Sequence, residues 1–404
     1  MYPLSSATYK PENRVPGIDV LRGLCIIAVV IHHFNLRIHF NQSAFGQMIG
    51  PAANRVLFWN GYYGVRVFFV ISGFLITSWT LKRWGNLNLI GPRQFYTMRF
   101  ARIVPCLVGL LVILAIADRM GVPRFTVNMQ HTSLWRALFA ALTFHINWLE
   151  ARTGYLPGAW DVLWSLSVEE LFYVFFPLLC KWTRKEAALI ALLGVFVVVG
   201  PFARMLTHNE LWSEYGYLQS MDGIALGCLA AIVAGKIRLG DKRKLVLRAL
   251  KLTGVAVCLL IVVFRGTAAH LGFYKLGLDV TILGTGTALL IIALGLQQQF
   301  ESNTAPGFWP KLNSRLSAFL RWFGRNSYEV YLTHMLVVWP MVGAFFYFHQ
   351  PINSAPLWFL ATTALAGAAG YLVARFYSEP LNGSLRTRLL PAGSGAALKA
   401  SRTG

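Results

Sequence analysis

Ten blocks of nearly unbroken apolar character divide the chain: residues 18–36, 61–81, 103–119, 163–180, 187–206, 217–235, 250–268, 277–297, 326–347 and 357–377. Each is long enough to cross a bilayer as an α-helix, which takes about 20 residues at 1.5 Å rise. An eleventh block, Leu134 to Trp148, is shorter and carries Arg136, His145 and Asn147. It reads as a partial, interfacial or re-entrant segment. The pattern predicts an all-α integral membrane protein of about ten transmembrane helices plus a partial helix near 134–148. It divides the chain into an N-terminal segment 1–17, a membrane domain 18–380 and a polar tail 381–404 rich in Gly, Ala, Ser and Arg, which reads as disordered.

Composition agrees and adds orientation. Of 404 residues 56% are hydrophobic and 13% charged, and the mean hydropathy is +0.52, which excludes an ordinary soluble domain. A formal charge of +21 on a soluble protein would point to nucleic acid. Here the basic residues lie between apolar blocks, so they report topology and no nucleic-acid partner is expected. With a cytoplasmic N-terminus and 134–148 not crossing, about 26 of the 37 Lys and Arg fall in inside loops, about 10 outside, and Arg22 within a span. Both termini are then cytoplasmic, as suits a bacterial inner membrane. The first block does not read as a cleavable leader, because it carries Asp19, Arg22, His32 and His33; Ser43-Ala44 is the only weak cleavage pair after it. Cys25, Cys106, Cys180, Cys228 and Cys258 form no CxxC pair and read as buried thiols. No metal-binding, P-loop or GxSxG pattern occurs, and no tightly bound cofactor is expected.

The most informative polar residues are Arg22 and His33, both inside the first block. Eleven residues is about three helical turns, so the two share a face within ~20° and lie about 16 Å apart along the axis. Ionisable groups in a membrane helix are costly and mark functional paths. His32 is adjacent but points ~100° away.

Four further constellations stand out. Phe68 to Ile76 carries a small Ser72-Gly73 pair at mid-helix, suited to close helix packing. Arg99 and Arg102, three residues apart ahead of Pro105, serve equally as positive-inside anchors or as a phosphate clamp. Trp164 to Glu170 opens a span; Ser167 with Glu170 fits a capping box, whereas capping does not account for Glu169. That carboxylate is placed to orient a histidine or to bind a polar acceptor. Tyr328, Tyr331 and His334 recur at i, i+3, i+6 as a polar stripe, the arrangement of interhelical hydrogen bonds.

Taken in order, these segments resemble acyltransferase family 3, integral membrane proteins that include O-acyltransferases of bacterial surface polysaccharides and of some macrolides. The resemblance rests on Arg22-x10-His33, Phe-Phe-Val-Ile-Ser-Gly-Phe-Leu at 68–75, Arg99-x-x-Arg102-Ile-x-Pro105, Trp-Ser-Leu-Ser-Val-Glu-Glu at 164–170, Met-Asp222-Gly-Ile-Ala-Leu-Gly, and Ser-Tyr-x-x-Tyr-Leu-x-His at 327–334. It runs from about residue 17 to 380. Many members carry an acid just before the Phe-Phe stretch where this chain has Arg66, a departure that changes the charge offered to an acceptor. Some members append an extracytoplasmic hydrolase-like domain; this sequence has none, so a second transfer step would need another protein.

The resemblance implies acyl-CoA, most often acetyl-CoA, as a cytoplasmic co-substrate and a glycan or other hydroxyl compound as acceptor. Arg22, Arg99 and Arg102 would hold CoA phosphates, with Ser72 beside the pantetheine. His33 would be the general base, with Glu169 as its orienting or acceptor-holding partner. Arg66, Asp222, Tyr328 and His334 would line the acceptor. An extended pantetheine arm of on the order of 15–20 Å matches the rise from Arg22 to His33. Two other readings fit the same residues: acylation of a small molecule such as a macrolide, and a proton-coupled transporter in which His33, Asp19 and Glu169 relay protons. Oligomeric state is not legible.

Overall fold

The structure, a computed structural model, describes residues 14–127, 129–264, 276–301 and 315–390. Among them ten helices are long and apolar enough to cross a membrane. They match the ten predicted blocks: α1 (Pro16–Asn35), α3 (Gly61–Trp84), α4 (Pro92–Arg119), α7 (Leu163–Thr183), α8 (Glu186–Leu206), α10 (Leu218–Lys236), α11 (Arg243–Val263), α12 (Leu278–Glu301), α14 (Ser327–Tyr347) and α15 (Ala355–Val373). Residues 265–268 of the seventh block lie outside the described residues. Shorter helices join them: α2 (Ala44–Phe58), α5 (Leu134–Leu142), α6 (Ile146–Thr153), α9 (Glu210–Tyr215), α13 (Arg315–Arg325) and α16 (Glu379–Leu389). All five cysteines are free thiols, four of them buried.

The block at 134–148 does not form one long helix. It is two short helices, α5 and α6, broken where Phe144 turns to φ 57°. Nine residues of helix span only about 14 Å. Ser43 is not a processing site in appearance but the cap of α2: its hydroxyl accepts from the Gly46 N–H at 3.0 Å and is fully buried. The tail read as disordered from 381 begins as helix. α15 runs through a π-turn at Ala374–Ser378 into α16, which packs on α4. Residues 391–404 lie outside the described residues.

Helix packing settles part of what Ser72-Gly73 does. A Cβ on Gly73 would collide with the Ile224 carbonyl, and one on Gly227 with the Val70 carbonyl. α3 and α10 therefore meet backbone to backbone, as membrane helices do where small residues face each other. Gly73 is a packing residue, while Ser72 points to another neighbour.

Candidate active site

His33 lies in the last turn of α1. Its Nδ1 is 2.9 Å from the Val29 carbonyl, one turn back. A carbonyl only accepts, so the contact assigns the ring proton to Nδ1 and leaves the lone pair on Nε2. Nε2 faces the Asp161 carboxylate, with Oδ2 at 3.3 Å. A third group steadies the ring. His334 Nδ1 donates to the Tyr331 carbonyl at 2.6 Å, which makes His334 Nε2 an acceptor, and it stands 3.3 Å from His33 Nδ1. The His33 proton is thus held between Val29 and His334. The imidazole is aimed, its basic nitrogen faces a carboxylate, and both partners stay accessible at 16% and 26% side-chain exposure. A proton taken up by Nε2 would meet the Asp161 carboxylate, so the arrangement favours the imidazolium form of His33 once Nε2 is protonated.

Asp161 was not legible as a candidate, and Glu169, expected beside His33, is elsewhere. The capping box at Ser167 and Glu170 does not form, because α7 begins four residues earlier at Leu163. Ser167 sits inside the helix and donates back to the Leu163 carbonyl at 2.9 Å. Glu169 is therefore six residues inside the helix, about 9 Å from its start. The carboxylate level with His33 is the one in the turn before α7. The signal in the sequence was only a lone acid closing the Gly158-Ala159-Trp160-Asp161 turn.

His32 stands edge-on to His33, with ring centroids 5.8 Å apart, but its own ring nitrogen is turned elsewhere. It packs on the turn between α2 and α3, with Nδ1 3.4 Å from the Phe58 carbonyl and its ring edge-on to Trp59. Adjacent residues on a helix diverge by ~100°, and here each ring finds a different neighbour.

A polar seam continues from His33 into the bundle. Tyr331 bonds Ser165 at 2.6 Å, and its ring contacts both His334 and Phe68. Next comes Ser72, which donates to Glu169 at 3.1 Å and also bonds the Tyr173 hydroxyl. Tyr173 donates to the same Glu169 oxygen at 3.3 Å. The Arg99 guanidinium lies 4.5 Å over the Tyr173 ring, and both Arg99 and Arg22 act electrostatically on Glu169. Arg102 pairs with the buried Glu329 at 3.4 Å and lies over the Tyr328 ring at 5.3 Å. Glu329 also accepts from Ser378, and Tyr328 donates to the Ile103 carbonyl at 2.9 Å. The Arg22 charge interacts with those of Asp19, Arg102 and Glu329. So Ser72, Glu169, Arg22, Arg99, Arg102 and Tyr328 share one seam with His33 and His334.

The structure does not bring Arg66 and Asp222 into that seam. Arg66 is fully buried; it donates to Ser220 at 2.7 Å, to Tyr62 at 2.6 Å and to the Glu214 carbonyl, and Trp164 covers its face. Asp222 is fully buried against Arg204 at 2.7 Å and Thr281 at 2.6 Å.

Two charged groups near His33 lie outside the spans. Glu150 of α6 is buried; Oε1 accepts from the Leu156 N–H at 3.2 Å and Oε2 has no partner. Burial pushes its carboxyl up to about 8, with Asp161 adding to the shift and the Leu156 N–H opposing it. Arg37, two residues beyond α1, lies 4.8 Å over the Trp339 ring. Desolvation first, and the neighbouring Arg124 second, lower its pKa, while Asp161 acts the other way.

Comparison with known proteins identifies the family. A family model described as an acyltransferase domain matches residues 15–375. The chain is 26% identical to the peptidoglycan O-acetyltransferase OatA of Listeria monocytogenes over 83% of its own length and 51% of that protein. It is 26% identical to the putative peptidoglycan O-acetyltransferase YrhL of Bacillus subtilis over 80% of its length and 48% of that protein. A putative O-acetyltransferase of Staphylococcus aureus is 29% identical over 42% of the chain and 25% of that protein. The chain thus spans about half the length of its long matches, or less. No solved structure matches significantly. A family match over nearly the whole chain, with the Arg22–His33 helix at its start and the site assembled within it, makes this protein a membrane-embedded member of acyltransferase family 3.

Proposed function

We propose that the protein transfers an acyl group, acetyl in the first instance, from acyl-CoA to a glycan hydroxyl, with His33 as general base. CoA phosphates sit against Arg22, Arg99 and Arg102 on the cytoplasmic side, the side favoured by the bias of Lys and Arg among the loops. The pantetheine arm follows the seam past Ser72 and Tyr331. The thioester carbonyl then meets the acceptor hydroxyl at His33, near the outer end of α1 in the inner membrane. His33 Nε2 takes the hydroxyl proton as the acceptor oxygen attacks. The C–S bond breaks, CoA leaves as the thiolate, and the imidazolium returns the proton to it. Asp161 stabilises the imidazolium while it exists; the Val29 carbonyl and His334 keep Nδ1 from giving up its proton instead.

One observation carries this reading: the basic nitrogen of His33 is aimed at a carboxylate in an accessible place, on the helix that also carries Arg22. The relatives named peptidoglycan O-acetyltransferases support a glycan as acceptor and acetyl as the group moved. The test is NMR of O-acyl groups on cell-surface glycans in cells expressing the native chain, His33→Ala or neither. An acyl signal only with the native chain is expected. Equal signals in all three would overturn the reading, and a signal confined to secreted small molecules would move the acceptor class.

A further inference from the structure

Beside His33 two cations converge with no carboxylate in ion-pair contact with either, Asp161 acting on Arg37 only at longer range. Arg37 and Arg124 both lie over the ring of Trp339, at 4.8 and 5.4 Å from its centroid. They come from distant parts of the chain: Arg37 is one turn beyond His33, and Arg124 is in the loop after α4, where it adopts φ 72°. That conformation is unfavourable for a side chain with a Cβ and is found where surrounding structure imposes it. Among the described residues neither guanidinium has a carboxylate within ion-pair distance; Asp161 is paired with His33, and Arg37 donates to the adjacent Leu36 carbonyl. Both arginines are exposed, whereas Trp339 beneath them is nine-tenths buried and its indole N–H has no acceptor.

One short loop ties this pair to the catalytic one. Gly158 packs against the Trp339 ring so closely that a Cβ there would overlap it. The Ala159 N–H donates to the Arg124 carbonyl at 3.3 Å, and Asp161 faces His33. Residues 158, 159 and 161 therefore fix Trp339, Arg124 and His33 relative to one another. Trp339 shares α14 with His334.

Two like charges held together cost Coulomb energy that an anion between them offsets. Guanidinium groups stacked on an indole keep their N–H edges free for paired bonds to an oxyanion. With cations already over it, the indole is not an open platform for a neutral sugar. We propose that Arg37 and Arg124, braced on Trp339, form an acceptor subsite that binds an anionic group of the saccharide, a carboxylate or a phosphate, and so presents a neighbouring hydroxyl to His33. The subsite rests on the acyltransfer reading above and adds to it the charge of the acceptor.

The test uses the full chain in proteoliposomes and three probes: a soluble peptidoglycan tetrasaccharide with free lactyl carboxylates, its methyl ester, and the same ester on a polyprenyl pyrophosphate. Equilibrium binding and acyl transfer are measured for the native chain and for the Arg37→Gln, Arg124→Gln double variant. The expected result is that the native chain favours an anionic probe over the soluble ester. The double variant weakens binding of that probe, and raises its KM, about tenfold or more, as loss of charge-assisted bonds implies. Its kcat and its KM for acetyl-CoA are expected to hold. Preference for the free acid assigns the anion to a carboxylate; preference confined to the lipid-linked ester assigns it to phosphate. Equal binding of all three probes, or binding unchanged in the variant, overturns the subsite. Preferential binding without any transfer would leave the subsite standing and overturn the acyltransfer reading; transfer without preference would do the reverse.

Discussion

Two acid–base pairs in this bundle use the same kinds of side chain to opposite ends. Asp222 and Arg204 are sealed, at 1% and 6% side-chain exposure, and Arg204 spends its donors on Asp222, Thr281 and the carbonyls of Gly277 and Gln219. Asp161 and His33 are open, with Nε2 and the carboxylate facing each other where a substrate can reach them. A sealed pair has no group left to react, and it ties α8, α10 and α12 together. An open pair is a weaker brace and a usable base. Burial with complete satisfaction marks architecture; partial exposure with one nitrogen aimed marks chemistry.

The comparison can be broken first at the sealed pair. Arg204→Ala leaves the Asp222 carboxylate buried without its cation, which costs about 3–5 kcal/mol. The expected outcome is a sharp loss of folded protein in detergent, read by thermal unfolding. Replacing both partners, Arg204→Met with Asp222→Leu, should recover most of that stability, because apolar groups of similar volume carry no desolvation cost. A double variant as unstable as the single would mean the pair is not acting through buried charge.

Glu150 stands between the two cases: sealed like Asp222, but with one oxygen unpartnered. Its carboxyl is raised from 4.5 to about 8, so between those values the folded state holds a proton that the unfolded state has lost. Stability contributed by this group is complete below about pH 4.5 and falls as pH rises to about 8. Glu150→Gln should flatten that decline and stabilise the protein at pH 8 by on the order of 4 kcal/mol, with much less change at pH 5. Thermal unfolding of both proteins across this range is the check; parallel curves would contradict it.

The smallest effect is expected at the open pair. Asp161→Asn keeps the shape and removes the charge that stabilises imidazolium at Nε2. It should lower kcat roughly 10- to 100-fold, within the range of general-base assistance, and move the unfolding temperature little. A stability loss as large as that of Arg204→Ala would class Asp161 with the sealed residues.

How much of this was legible follows from range. The ten spans could be read because a bilayer demands about 20 apolar residues in a row, a local property. The Arg22–His33 pair could be read because helical period fixes their relative position. The break at Phe144 and the cap at Ser43 depend on a few backbone angles, and the pattern of apolar residues does not report them. Asp161 was missed because what singles it out is its meeting with His33, 128 residues away in sequence. Arg66 and Asp222 were assigned to the acceptor through the family resemblance, and only the fold supplies the Ser220, Tyr62 and Arg204 that occupy them.

The central claim is that an acyl group enters at the arginine end of the seam and leaves on a hydroxyl at His33. The most direct measurement seals acetyl-labelled CoA inside oriented proteoliposomes and supplies acceptor glycan only outside. Labelled ester outside, with an equal amount of free CoA retained inside, and neither with His33→Ala, is the predicted result. Intact acetyl-CoA appearing outside, or equal labelling by His33→Ala, would contradict the account.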